Sequence, residues 1–170
     1  MDLLLLMNSV DEREGRRRYR ISRGILEQSR ELLAEAGAVG LESAVVWVGR
    51  LLEPSDAEVL RVERPEQLCF RTEAGVGVEI LPEAISRLIA DLQPGTLVLA
   101  RLHSHPGCPY HSDVDDLNML ISHDGAISIV VPDFAAAPID LTDCSVNELR
   151  HGQGWIELDA AEVTTRFRIT

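Results

Sequence analysis

A chain of 170 residues suits one compact domain, and a hydrophobic share of 45% is enough to build a core. The formal net charge of −12 argues against a nucleic-acid backbone as main partner, because phosphate binding needs clustered Lys and Arg. The three cysteines, Cys69, Cys108 and Cys144, are odd in number and not closely paired, so no disulfide framework is implied and a reducing cytoplasm is the simpler setting.

The opening run MDLLLLMNSV has no basic residue ahead of its apolar stretch. It is too short to span a bilayer and lacks a signal-peptide layout. No later segment reaches transmembrane length without charge, so the expectation is a soluble cytoplasmic protein with no membrane partner. Residues 1–18, ending in the charged run from Asp11 to Arg18, read as a flexible, solvated lead-in. Residues 19–170 read as a single domain.

Tyr19-Arg20-Ile21 suits a short strand. Ser22 can cap the helix after it, where Ile25, Leu26, Leu32, Leu33 and Ala36 recur at helical spacing up to Gly37. Glu42 precedes the buried-strand pattern Ala44-Val45-Val46-Trp47-Val48, which Gly49 is expected to close. Strands are expected near 57–63, 67–71 and 76–81. Pro82 opens a second helix with Ile85, Leu88, Ile89 and Leu92 as its apolar face, and Pro94-Gly95 ends it. A strand from Leu97 to Leu102 runs into a histidine pair. A short helix from about Asp115 to Ile121, a core strand from Ala126 to Val131 and a hairpin of strands near 143–149 and 154–158 follow. Asp159 can cap a terminal helix. This mixture lacks a strict βαβ repeat and predicts an α/β or α+β fold: one mixed, curved sheet flanked by helices.

The stretch from Leu102 to Asp116, LHSHPGCPYHSDVDD, carries the chemistry. A strand puts alternate side chains on one face, so His103 and His105 point the same way and can grip one ion through imidazole nitrogens. A carboxylate from Asp115 or Asp116 would make three protein ligands and leave a fourth tetrahedral position to water, the layout of a catalytic zinc site. Zinc brings the pKa of such a water to about 7, and a carboxylate suits the base that takes its proton. Alone, His-x-His is more often a surface or hydrogen-bonded pair. Pro106, Ser112 and the Asp pair give it weight here.

His103-Ser104-His105-Pro106 followed by Ser112-x-x-Asp115 resembles the signature of the JAMM (JAB/MPN) metalloproteases. The resemblance covers roughly residues 19–132 and implies a JAB/MPN-like domain with cytidine-deaminase-like layering. It implies that His103, His105 and Asp115 hold Zn2+ and that Ser112 helps stabilise an oxyanion. It also implies that Glu42, just before a strand ending in Gly, is the general base. The commonest family spacing lands on Asp116 instead, but would put Asp113 where the serine belongs; Asp115 keeps serine and aspartate together. The family's substrate is the C-terminal tail of a ubiquitin-like protein. A ubiquitin-like protein or its conjugates is therefore the expected partner, with ubiquitin-activating-like and conjugating-like enzymes of the same pathway alongside. The alternatives are a zinc hydrolase of small peptide or sulfur-carrier conjugates and a catalytically silent scaffold. A zinc deaminase would need His-x-Glu with Pro-Cys-x-x-Cys, which is not present. Ser112 also suits a helix cap. Cys108, His111, His123 and His151 read as loop or turn residues, and Trp47 and Trp155 as core or groove aromatics.

Overall fold

The computed structural model describes residues 16–53, 55–110 and 121–170. In chain order these form β1 (Arg18–Ile21), α1 (Arg23–Gly37), β2 (Ala44–Glu53), β3 (Asp56–Glu63), β4 (Gln67–Thr72), β5 (Gly75–Ile80), α2 (Pro82–Ala90), β6 (Leu97–Ser104), β7 (Ile127–Val131), β8 (Ser145–Arg150), β9 (Gly154–Glu157), α3 (Ala160–Arg166) and β10 (Phe167–Ile169). Eight strands make one mixed sheet in the order β10-β1-β3-β2-β6-β7-β8-β9, and β4 and β5 form a separate two-stranded ribbon. The expected mixed sheet flanked by helices is the observed architecture. The expected helix near Asp115 lies outside the described residues.

Strands β2 and β6 are central and buried on both sides. Along β2, Val45 and Trp47 enter one apolar cluster with Ile25 and Leu33 of α1, while Ala44, Val46 and Val48 enter a second with Ala84 and Leu88 of α2. Burial of each large side chain stabilises the fold by about 1.5–3 kcal/mol, so this strand pair is a rigid platform. Trp47 is fully buried, and its Nε1 donates to Ser29 Oγ at 2.9 Å, which in turn donates to the Ile25 carbonyl at 2.7 Å. It is therefore a core residue whose one polar atom is satisfied inside α1.

The caps act as their residue types dictate. Ser22 accepts from the Ile25 amide at the start of α1, and Asp159 and Glu162 form a reciprocal capping box on α3.

Three expectations need correcting. Gly49 does not end β2, which continues to Glu53. Gly49 sits at a register shift against β3, and a Cβ there would stand 2.0 Å from the Glu58 carbonyl oxygen. The glycine marks close approach of two backbones at a bulge rather than a strand end. On α2, Ala84 and Leu88 are the buried pair and Ile89 is 56% exposed, because the ridge facing the sheet runs through positions four apart and leaves Ile89 on the flank. Finally, β10 was not expected: three residues are too few to show a period. It pairs in parallel with β1, and Phe167 stacks on Tyr19 with ring centroids 4.9 Å apart.

Behind the sheet, Arg166 of α3 and Glu148 of β8 form an ion pair with both side chains almost wholly buried, and Arg150 adds a second bond to Glu148 at 2.9 Å. Burial pushes the Glu148 carboxyl upward, but the hydrogen bonds and charges of Arg166 and Arg150 outweigh it and hold the pKa below the ordinary value. A carboxylate with a depressed folded pKa stabilises above its unfolded value of about 4.3 and loses that contribution as pH falls through the folded value. Glu148→Gln strands the buried guanidinium and is expected to cost about 3–5 kcal/mol near neutral pH. Urea unfolding at pH 7 and at pH 3.5 checks this: the gap from wild type should shrink at the lower pH. An equal gap at both would mean that the charge of Glu148 is not its source.

Candidate metal centre

Strand β6 delivers the histidine pair from the middle of the sheet. His103 is held on both flanks, opposite Ala44 of antiparallel β2 and Val130 of parallel β7. Beyond the strand end the pairing continues: the Ser104 amide donates to the Ser43 carbonyl at 3.1 Å, and the His105 amide donates to the Val131 carbonyl at 2.9 Å. The Ser43 amide donates back to Ser104 Oγ at 3.3 Å. Continuing that register sets Glu42 across from His105. Cross-strand partners share a face, so Glu42, His103 and His105 all lie on the face that carries α2.

The three side chains are buried, with Glu42 7%, His103 3% and His105 6% exposed. The two Nε2 atoms stand 3.1 Å apart. Two nitrogens bound to one tetrahedral zinc at about 2.0–2.1 Å would be about 3.3 Å apart, so these imidazoles fit neighbouring ligands of a single ion. With suitable tautomers the same separation serves a hydrogen bond, one Nε2–H donating to the other nitrogen. Glu42 Oε1 lies 3.9 Å from His105 Nε2, beyond a direct hydrogen bond and within reach through one intervening atom. Two buried imidazole nitrogens fit part of a zinc donor set and need a further ligand to complete it.

Among the described residues, no group of three or more His, Cys, Asp and Glu side chains is arranged to hold a metal ion. Of the donor set expected from the motif, only His103 and His105 lie among the described residues. Asp115 and the alternative Asp116 lie outside the described residues, as do Ser112 and His111. Cys108 is an exposed loop thiol. His123 Nε2 lies 2.8 Å from the Val98 carbonyl, where it ties a turn to β6, and His151 is exposed in the β8–β9 turn. Trp155 packs at the edge of the second apolar cluster.

Sequence reasoning missed two features of the site. Tyr110, 62% exposed, meets the His105 ring edge-on with centroids 4.7 Å apart. A lone aromatic in a Pro-rich loop carries no periodicity that would have announced it. The second is the turn after β7. Asp133, Phe134 and Ala135 all have left-handed φ, from 51° to 56°, which is strained for non-glycine residues. The turn is held because the Phe134 amide donates to the His105 carbonyl at 2.7 Å and the Asp133 amide to the Gly107 carbonyl at 3.1 Å. A Cβ on Gly37 would come within 2.6 Å of Phe134, so the end of α1 also abuts this turn. Those two hydrogen bonds tie the strained turn to the segment that leaves the histidines.

No protein-family model matches the chain. It is 34% identical over 139 residues to the "Probable metalloprotease y4jG" of Sinorhizobium fredii (strain NBRC 101917 / NGR234), with 81% of this chain and 85% of that protein covered. The chain belongs to this metalloprotease family, and its His103-Ser104-His105-Pro106 motif and upstream Glu42 resemble the JAMM (JAB/MPN) signature. Among solved structures, the fold resembles a protein from Salinibacter ruber, with 18% identity, a TM-score of 0.52, and 82% of this chain and 88% of that one covered. AF2198, a JAB1/MPN domain protein from Archaeoglobus fulgidus, is more distant at 15% identity and a TM-score of 0.45, covering 90% of this chain and 98% of that one. Among the described residues, no helix is long and apolar enough to cross a membrane.

Proposed function

We propose that this chain is a zinc-dependent isopeptidase or peptidase that hydrolyses an amide bond at the C-terminal tail of a ubiquitin-like protein, in deconjugation or in precursor processing. The observation that carries the proposal is the buried His103–His105 pair, with Nε2 atoms 3.1 Å apart, beside Glu42 in a chain of the metalloprotease family. His103, His105 and Asp115 are the proposed ligands, with Asp116 the alternative to Asp115. When bound, zinc would supply Lewis-acid polarisation of the scissile carbonyl and a water acidic enough to attack near neutral pH. Glu42, fixed on the same sheet face, accepts the proton at a carboxylate oxygen and returns it to the leaving amine. Ser112 donates a hydrogen bond to the oxyanion. A thin, extended tail suits the substrate, because the proposed ligands His103 and His105 are buried at the end of β6 rather than on an open surface. Ubiquitin-activating-like and conjugating-like enzymes of the same pathway are the proposed companions, acting in the cytoplasm.

The test is a panel of zinc-loaded protein with ubiquitin-like fusions, lysine conjugates, and small peptide or sulfur-carrier conjugates. Release of the intact ubiquitin-like tail at a rate above that of short peptides is expected. Turnover of short peptides alone would overturn the substrate assignment in favour of a small-conjugate hydrolase. No turnover by a zinc-loaded protein across the panel would favour a scaffold.

A further inference from the structure

Strand β2 begins at Ala44, two residues after Glu42. On one flank Ala44 pairs with His103. On the other, the β3 register reaches only Glu63 opposite Val46, so no strand of the sheet continues beside Ala44. The side chain of Gln67 takes that place. Its Oε1 accepts from the Ala44 amide at 2.7 Å and its Nε2 donates to the Ala44 carbonyl at 2.9 Å, the two bonds a neighbouring strand would supply. The same Nε2 donates to the Pro65 carbonyl at 2.9 Å, which anchors the amide to its own loop and fixes which end is oxygen. Four residues along β4, on the same face, Arg71 Nη2 donates to the Gly40 carbonyl at 2.6 Å. Gly40 has a φ of +70°, a conformation glycine takes without strain. Two side chains of the ribbon therefore clamp residues 40 and 44 and bracket Glu42 between them.

We propose that Gln67 is a positioning residue for Glu42, holding the carboxylate to the metal centre through the backbone of Ala44 without touching substrate. This rests on the general-base reading of Glu42. Satisfying the amide and carbonyl of buried Ala44 stabilises the fold in its own right; the positioning role adds an effect on kcat that stability alone would not produce. Misplacing a reacting group by about 1 Å can cost about a hundredfold in rate, so loss of the clamp falls on kcat rather than on metal or substrate binding.

The experiment compares wild type, Gln67→Leu and Gln67→Glu in the full chain by amide hydrogen exchange, zinc content, kcat and KM. Gln67→Leu is expected to keep its zinc and its KM within about twofold, to lose at least about tenfold in kcat, and to exchange the Ala44 amide at least about tenfold faster. Gln67→Glu keeps the acceptor for the Ala44 amide but sets a carboxylate oxygen against the Ala44 and Pro65 carbonyls that the amide donates to, so it should lose at least as much kcat as Gln67→Leu; wild-type kcat in this variant would overturn the clamp. Unchanged exchange at Ala44 in Gln67→Leu overturns the clamp itself, whatever the turnover. Faster exchange with kcat unchanged overturns the positioning role. Faster exchange in a zinc-loaded protein whose wild type has no turnover marks failure of the general-base reading, and the positioning role falls with it.

Discussion

Glu42→Gln is expected to lower kcat by about 10²–10⁴-fold, the usual contribution of a general base, with zinc content unchanged. The substitution keeps the size and shape of the side chain and removes only its ability to take a proton. Glu42 is 7% exposed and 3.9 Å from His105 Nε2, a buried place beside the histidines that suits the proposed base and not a solvated strand end. KM should move little, because the change acts on the proton transfer and not on uniform substrate binding. Steady-state kinetics with metal analysis on the same sample check this. Wild-type kcat in a zinc-loaded variant would remove Glu42 from the reaction.

The second large effect is expected from His103→Ala, which should abolish stoichiometric zinc binding and turnover together while the fold survives. His103 is a side chain on a strand whose backbone pairs on both flanks, with Ala44 and with Val130. Those ladder bonds do not depend on the imidazole. Removing one of the three proposed protein ligands would leave too few to hold a catalytic ion. Circular dichroism and zinc analysis separate the two consequences. A variant that keeps about one zinc per chain would show that His103 is not a ligand.

Much of the fold was legible because its signals are local or periodic. The five-residue apolar run from Ala44 to Val48 reads as a doubly buried strand, and it is one. Ser22 and Asp159 sit where a cap oxygen is needed and act as caps. The extent of β2 was misread because the same glycine type serves strand ends and bulges. Only the partner backbone at Glu58 tells which role Gly49 plays. The strand β10 escaped because its pairing with β1 joins residues about 150 apart in the chain, and no local pattern encodes that contact.

The site divides in the same way. The alternation His103-Ser104-His105 states in sequence that both rings share a face, and the structure brings their Nε2 atoms together. Placing Glu42 beside them, 61 residues from His103, took the family resemblance, because cross-strand register is not written in either segment alone. Tyr110, Gln67 and the left-handed turn at 133–135 act through contacts that follow no sequence repeat, so nothing in their neighbourhood distinguished them. Asp115, Asp116 and Ser112 remain expectations from the motif.

The measurement that bears most directly on the metalloprotease reading is the metal content of the purified, zinc-reconstituted protein, taken beside His103→Ala, Asp115→Ala and Asp116→Ala. About one zinc per wild-type chain is expected, lost in His103→Ala and in one aspartate variant only, Asp115→Ala. A wild-type protein that takes up no zinc on reconstitution would contradict it and leave the buried histidines as a hydrogen-bonded pair.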